Sequence, residues 1–427
     1  MVKPALNSGF VVASIQLLSA IFTSRSVVAR PGNTDVIDPK THMKDPKNIG
    51  VMPVPVISQI PILPLLGGVS VSGMELPEEV IEKNPTEFPS PCESKSSKKE
   101  YPLPPYDEVM HYLEKGSNVI SLPVAWENIQ THILSDDLNK DFMEELEDVI
   151  KTITYQGGNV VLELRSSHER IRQVKPDNGA VKNSTLDDQF LDSYTKLWSN
   201  LAKSFLVNRR VIFSLASLPD NAMTPARWPK TIQAAVTAVR KTGSKNVILL
   251  PSMGNRNLSV RHNTIKTFDK TYHALKDVKN PDNTTFGLVF DLTQNFAPFD
   301  HKKHNSTTAC PARNTTDYVT PLVKLLKENK RQAFIGRVVS GSHETCLSIL
   351  KEFLSDIKGA YPHIAGFSMY GGGIRKEDAF GALVKKTNNS TECDSEFEDQ
   401  PNFNVAKKFF PEKIVKDLDK SPLKPTS

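Results

Sequence analysis

Tryptophan is scarce in this chain of 427 residues, with three positions, Trp126, Trp198 and Trp228. Cysteine is nearly as scarce. The four cysteines, Cys92, Cys310, Cys346 and Cys393, form no CxxC pair, so a structural zinc knuckle is excluded. His301 and His304 precede Cys310 at a spacing zinc could use, but they lie in a polar, sequon-bearing stretch, and neither metal nor cofactor is expected. No Gly-rich fingerprint follows an apolar run, which argues against a doubly wound nucleotide-binding sheet. There is no dense Lys/Arg stripe interleaved with aromatics, and a formal charge of +5 with pI near 8.8 is mild for this length, so nucleic acid is not an expected partner. Past residue 22 no apolar run is long enough to span a membrane, and the last six residues, Pro-Leu-Lys-Pro-Thr-Ser, offer no hydrophobic tail for a lipid anchor.

What is present points outward from the cell. Lys3, the mostly apolar stretch Gly9 to Phe22, and the small residues Val27 and Ala29 read as a secretory signal over residues 1–29, with an uncleaved anchor as the alternative. Asn-x-Ser/Thr sequons stand at Asn183, Asn257, Asn283, Asn305, Asn314, Asn388 and Asn389. An even number of cysteines suits an oxidising compartment. The expectation is a secreted, extracellular, monomeric glycoprotein with no membrane contact after signal removal.

Residues 30–64 are Pro-rich and read as an extended segment. From residue 65 to about 390, short apolar runs alternate with amphipathic stretches. The runs are Leu66–Val71, Asn118–Leu122, Asn159–Leu164, Val211–Leu215, Val247–Leu250, Gly287–Asp291, Ala333–Arg337 and Ala365–Met369. Each is bounded by turn residues, as buried parallel strands are. Pro105–Lys115, Lys140–Tyr155, Asp187–Phe205, Pro229–Lys241, Asp317–Asn329 and Glu344–Asp356 carry apolar residues at helical spacing. Eight strands, most followed by a helix, predict an α/β fold of the (β/α)8 TIM-barrel type. Residues 391–427 read as a C-terminal tail.

Several segments, in order, resemble fungal-type endoglucanases of glycoside hydrolase family 5. Gly68-Val-Ser-Val-Ser-Gly-Met-Glu75 is similar to the family's first strand. Gly116-Ser-Asn-Val-Ile-Ser-Leu-Pro-Val-Ala-Trp-Glu127 is similar to the second, and Leu197 to Phe205 to the helix before the fourth. Val211 to Pro219 resembles the fourth strand, and Thr345-Cys-Leu347 the segment after the seventh. The likeness runs from about Gly67 to Lys385, without a Cys-rich cellulose-binding module in front. It implies a disulfide between Cys310 and Cys346, which leaves Cys92 and Cys393 as a second pair.

The same resemblance implies where the chemistry should sit, and there the chain departs from the family. The fourth strand of the family ends in Asn-Glu-Pro, its Glu being the general acid/base; here the positions are Ser217, Leu218 and Pro219. The nucleophile position after Gly336 is Arg337, the strand-two Arg falls on Ser121, and the strand-three His-Asn on Arg165 and Ser166. The strand-six His-x-Tyr falls on Thr293 and Asn295, and the strand-eight Trp on Tyr370. Retaining hydrolysis needs two carboxyl groups roughly 5 Å apart, and neither Leu218 nor Arg337 supplies one. The expectation is therefore a pseudo-glycosidase that retains carbohydrate, cell-wall or partner binding. Trp126, Tyr370, Arg165 and Arg337 are the ligand-binding candidates, the two arginines either receiving an anionic group or pairing with Glu163 or Asp291 to steady the old site. The alternative is an active β-glycan hydrolase whose carboxylates have moved to Glu163, Asp220 and Asp291.

Overall fold

The apolar runs, buried along nearly their whole length, close into one sheet. A computed structural model of the chain describes residues 63–75, 103–130, 137–165, 183–215, 227–252, 265–296, 307–373, 380–387 and 396–412, all within the unit Ile57–Ser427. The strands are β1 (Leu66–Ser72), β2 (Val119–Ala125), β3 (Asn159–Arg165), β4 (Val211–Ser214), β5 (Ile248–Leu250), β6 (Leu288–Asn295), β7 (Ala333–Val339) and β8 (Ile364–Gly373). They pair in parallel in sequence order, and β8 pairs back onto β1, so the barrel is closed and has no free edge. The expected (β/α)8 fold is the observed one.

The helices are α1 (Tyr106–Glu114), α2 (Trp126–Ile129), α3 (Lys140–Tyr155), α4 (Asn183–Ser204), α5 (Trp228–Lys241), α6 (Phe268–Leu275), α7 (Thr316–Glu328), α8 (Glu344–Gly359) and α9 (Pro401–Ala406). Their apolar faces and the outward faces of the strands share a large core that includes Trp198, Phe213, Phe290 and Phe353. Asn139 caps α3 by accepting from Phe142 N at 3.2 Å, and His343 Nδ1 caps α8 by accepting from Thr345 N at 3.2 Å.

Inside the barrel lies a second, smaller core. Each strand contributes one residue: Leu66, Val119, Val161, Ile212, Leu249, Val289, Phe334 and Ala365, with Leu63 below them. This apolar plug fills the end where the strands begin. Asn246 braces that end, donating from Nδ2 to the carbonyls of Asn208 and Val211 at 2.8 Å each. Two places further along, four of the strands turn polar, with Ser121, Glu163, Ser214 and Asp291, and that change of chemistry defines the site.

The segment read as a C-terminal tail is partly built into the barrel. β9 (Val384–Lys386) pairs antiparallel with β10 (Phe397–Asp399), and α9 follows. Phe403 and Phe410 are buried in the main core. A side chain at Gly67 would meet the Phe410 ring at 2.9 Å, so glycine there admits the ring. Asn402 Nδ2 ties α9 to the carbonyls of Ser340 (2.9 Å) and Ala382 (3.1 Å). The Cys310–Cys346 disulfide forms as the resemblance implies, while Cys92 and Cys393 lie outside the described residues. Of the sequon asparagines, Asn283 and Asn314 are exposed and Asn183 opens α4; Asn257, Asn305, Asn388 and Asn389 lie outside the described residues.

Candidate functional site

Strand alternation turns every second residue of β3 inward, so Val161 joins the plug while Glu163 and Arg165 reach the space above it. The same step carries β4 from Ile212 to Ser214 and β6 from Val289 to Asp291. The second layer therefore holds two carboxyl groups, Glu163 and Asp291, above a dry apolar floor. Toward the C-terminal ends of the strands, Arg165 (β3), Arg337 (β7) and Tyr370 (β8) complete the cluster.

Glu163 is held by two arginines. Its Oε1 forms an ion pair with Arg165 Nη2, a contact without the alignment of a hydrogen bond, and accepts from Arg337 Nη2 at 3.3 Å. The side chains of Glu163, Arg165 and Arg337 are 12%, 8% and 5% exposed, so water screens these pairs poorly. The Arg337 guanidinium also lies over the Tyr370 ring, 4.6 Å from its centroid. Burial works against the Arg165 charge, but the attraction of Glu163, with smaller contributions from Tyr370, Glu75 and Asp291, holds its pKa above the ordinary arginine value. Arg165 Nε is buried and has no hydrogen-bond partner among the described residues.

Asp291 stands differently. It is buried, its Oδ2 accepts from Ser214 Oγ at 2.9 Å, and the Gly336 N–H donates to the same carboxyl group. Burial first, and then the neighbouring Glu163 charge, push its pKa up to about 7, against the opposing pull of Ser214, Arg165 and Gly336. Gly336 is required by this packing: a Cβ there would overlap Asp291 Oδ1 and lie 3.0 Å from its Cγ. Asp291 thus exchanges its proton near neutrality, beside a Glu163 held between two guanidiniums.

Toward β1, β2 and β8 the layer is lined by hydroxyls. Ser121 Oγ donates to Ser368 Oγ at 3.1 Å, and Ser70 Oγ is buried without a hydrogen-bond partner among the described residues. Thr293 and Asn295 are buried on β6, whose register shifts between Asp291 and Thr293. Arg313 Nη1 donates to the Asn295 carbonyl at 3.1 Å.

The structure brings Arg165, Arg337, Tyr370, Glu163 and Asp291 together, and separates Trp126 from them. Trp126 is a correction to the expected ligand-binding set. Its indole is fully buried, donates to Gln130 Oε1 at 2.6 Å, and packs against Phe190 and Tyr194 of α4. Its position directly after β2 starts α2 and turns the ring under the barrel wall. Tyr370 remains at the site, but it is 8% exposed with Arg337 over its ring, so it is not an open stacking face either. Ser166, Ser217, Leu218 and Asp220 lie outside the described residues. Ser214 and Gly336 were not singled out from sequence, although Ser214 is marked by its inward register two residues after Ile212. Among the described residues no group of three or more His, Cys, Asp or Glu could hold a metal ion, and Cys310 is committed to its disulfide.

Known proteins agree with the architecture. Among curated relatives, the chain is 26% identical to a manganese dependent endoglucanase of Phanerodontia chrysosporium over 63% of its length, and 26% identical to an endoglucanase of Saitozyma flava over 73%. The matched segments span 66% and 82% of those relatives' own lengths. Among solved structures, an endo-beta-1,4-glucanase from Xanthomonas axonopodis pv. citri superposes with a TM-score of 0.60 at 18% identity, covering 81% of this chain and 98% of that one. An endoglucanase of Pseudomonas stutzeri solved with cellobiose gives 0.57 at 17% identity, covering 81% and 92%. These likenesses speak for the fold alone. The family model for cellulase, glycosyl hydrolase family 5, matches residues 89–367, well over half of the sequence, and the chain belongs to that family.

Proposed function

We propose that this chain is a secreted family 5 barrel that binds polysaccharide without cleaving it by double displacement. The observation that carries the reading is the pairing of one carboxylate, Glu163, with two buried arginines at the strand ends where a barrel enzyme works. A nucleophile needs a free lone pair aimed at the anomeric carbon, whereas Glu163 Oε1 accepts from Arg337 and is drawn by the charge of Arg165. Arg337 itself falls where the family likeness puts the nucleophile. A fixed cation there opposes the oxocarbenium charge that such a reaction develops. Asp291 is buried in the layer of the carboxylate that the arginines cover, bonded to Ser214 and Gly336. The two guanidiniums thus serve the cluster itself rather than an anionic ligand. Leu218, at the acid/base position, has no proton to give.

One observation favours the alternative, an active hydrolase with relocated carboxylates: Asp291, raised to about 7 in the same layer as Glu163, has the pKa of a group that can pass a proton near neutrality. One experiment separates the two. The purified chain is incubated with carboxymethylcellulose, mixed-linkage β-glucan and mannan, and reducing ends are measured alongside Glu163→Gln and Asp291→Asn. The proposal expects no release above a buffer blank from any of the three proteins. Turnover by the parent that both variants abolish would establish the alternative.

A further inference from the structure

The end of the barrel opposite the carboxylate cluster carries its own groove. α3 ends at Tyr155, the chain reverses through Gly157 (φ 83°), and β3 begins at Asn159. α4 ends at Ser204, and a turn through Val207 to Arg210 leads into β4. Tyr106 opens α1 beside them. Between these three helix ends lies an open groove of about 910 Å³. Its walls include Tyr106, Tyr155, Val207, Lys151, Arg209 and Arg210, with three cations and no carboxylate among the lining residues.

Side-chain hydrogen bonds hold the groove in shape. Arg210 Nη1 donates to the Gly157 carbonyl at 2.7 Å, and Asn208 Nδ2 donates to Thr154 Oγ1 at 3.2 Å, joining the two turns. Structural needs account for part of the lining. Arg210 serves the Gly157 carbonyl, and Lys151 sits near Glu147 (3.6 Å) and Asp148 (3.3 Å) in solvent-exposed pairs of little strength. They do not account for Arg209, which is exposed and makes no ion pair or hydrogen bond among the described residues. Nor do they account for three apolar side chains left in water at one place, Tyr155 at 77%, Tyr106 at 63% and Val207 at 91% exposure. Scattered exposed apolar residues are ordinary; a group of them rimming a cationic groove marks a contact surface.

We propose that this groove is a second polysaccharide site, and that its ligand is a carboxylated sugar chain. A tyrosine ring offers a flat apolar face for a pyranose ring together with a polar edge. A guanidinium grips a carboxylate through two parallel N–H bonds. Tyrosine faces beside Arg209, which makes no ion pair among the described residues, match a polyuronate better than a neutral glucan, which has no charge for Arg209 to meet. The site sits where the strands begin, so a polymer held here leaves the Glu163 end of the barrel open.

Fluorescence anisotropy of the full chain with labelled hexa-galacturonate, cellohexaose and a single-stranded oligonucleotide at low salt tests this. Hexa-galacturonate should bind, and Tyr155→Ala and Arg209→Ala should each weaken it about fivefold or more. Lys358→Ala, which removes one exposed charge on α8, should change it by less than twofold. The three side chains are exposed, so thermal unfolding should be unchanged in every variant. Binding of cellohexaose as tightly as hexa-galacturonate, or of the oligonucleotide more tightly, would overturn the ligand class. No binding of hexa-galacturonate, or variants that bind like the parent, would overturn the site.

Discussion

Glu163→Gln keeps the shape of the side chain and removes its charge. In the folded barrel this leaves Arg165 and Arg337, at 8% and 5% exposure, facing an amide in place of a carboxylate. Removing one partner of a buried ion pair costs about 3–5 kcal/mol, because the remaining charge stays desolvated. Gln still offers one oxygen to accept from a guanidinium, and Tyr370 still lies beneath Arg337, so the expected loss is near 3 kcal/mol. Urea unfolding followed by tryptophan fluorescence measures it, since Trp126 and Trp198 are fully buried. The double variant Glu163→Gln with Arg337→Met supplies the control. Once Glu163 is neutral, deleting Arg337 removes a stranded cation, so the double variant should lose less than the sum of the two singles. A Glu163→Gln loss under about 1 kcal/mol, or strict additivity, would refute the claim that the carboxylate is committed to its arginines.

Asp291 makes stability depend on pH. Its folded pKa of about 7 lies above the reference value of 3.8, so between those values the folded chain holds a proton that the unfolded chain has released. Stability is therefore fullest below pH 4 as far as this group is concerned. It falls as pH rises toward 7, at up to about 1.4 kcal/mol per pH unit, and levels off above. Urea midpoints from pH 4.5 to 8 should show this fall, and Asp291→Asn should flatten it. Cys346→Ser opens a bridge between residues 36 apart in sequence and should cost about 3–4 kcal/mol in non-reducing conditions, checked by the same unfolding assay. Restoring glutamates by Leu218→Glu with Arg337→Glu should recover no measurable glucanase activity. The new carboxylate on β7 would face Glu163 with Arg165 as its one remaining counter-charge, and the supporting side chains are not those of an active site.

The barrel was legible because short apolar runs alternate along the chain with stretches that carry apolar residues at helical spacing. β6 shows where that reading stops short. It was expected to end at Asp291, yet it continues through Thr293, Gln294 and Asn295, all buried. Polar residues at the mouth of a barrel are still inside it, so an apolar run underestimates the strand. The C-terminal elements were missed for a different reason. β9, β10 and α9 span three, three and six residues, too few for a period to emerge, and their attachment depends on Phe403, Phe410 and Asn402 meeting distant parts of the chain. At the site, the pairing of arginines with an inner carboxylate was one of two readings open from the sequence. The choice of Glu163 over Asp291 follows from barrel register, because Arg165 and Glu163 share one inward face of β3. Trp126 differs from its expected place because a tryptophan directly after β2 can pack behind the cleft as well as line it. The one-turn α2 that it starts, and the rings of Phe190 and Tyr194, put it behind.

The central claim is that no carboxylate of this barrel attacks sugar, and a trapping experiment addresses it directly. A retaining glycosidase offered an activated 2-fluoro-cellobioside accumulates the covalent glycosyl-enzyme, which intact mass spectrometry resolves as one added disaccharide. This chain should keep its unmodified mass after prolonged incubation with the reagent. A single added disaccharide, mapped by peptide sequencing to Glu163, Asp220 or Asp291, would contradict the account.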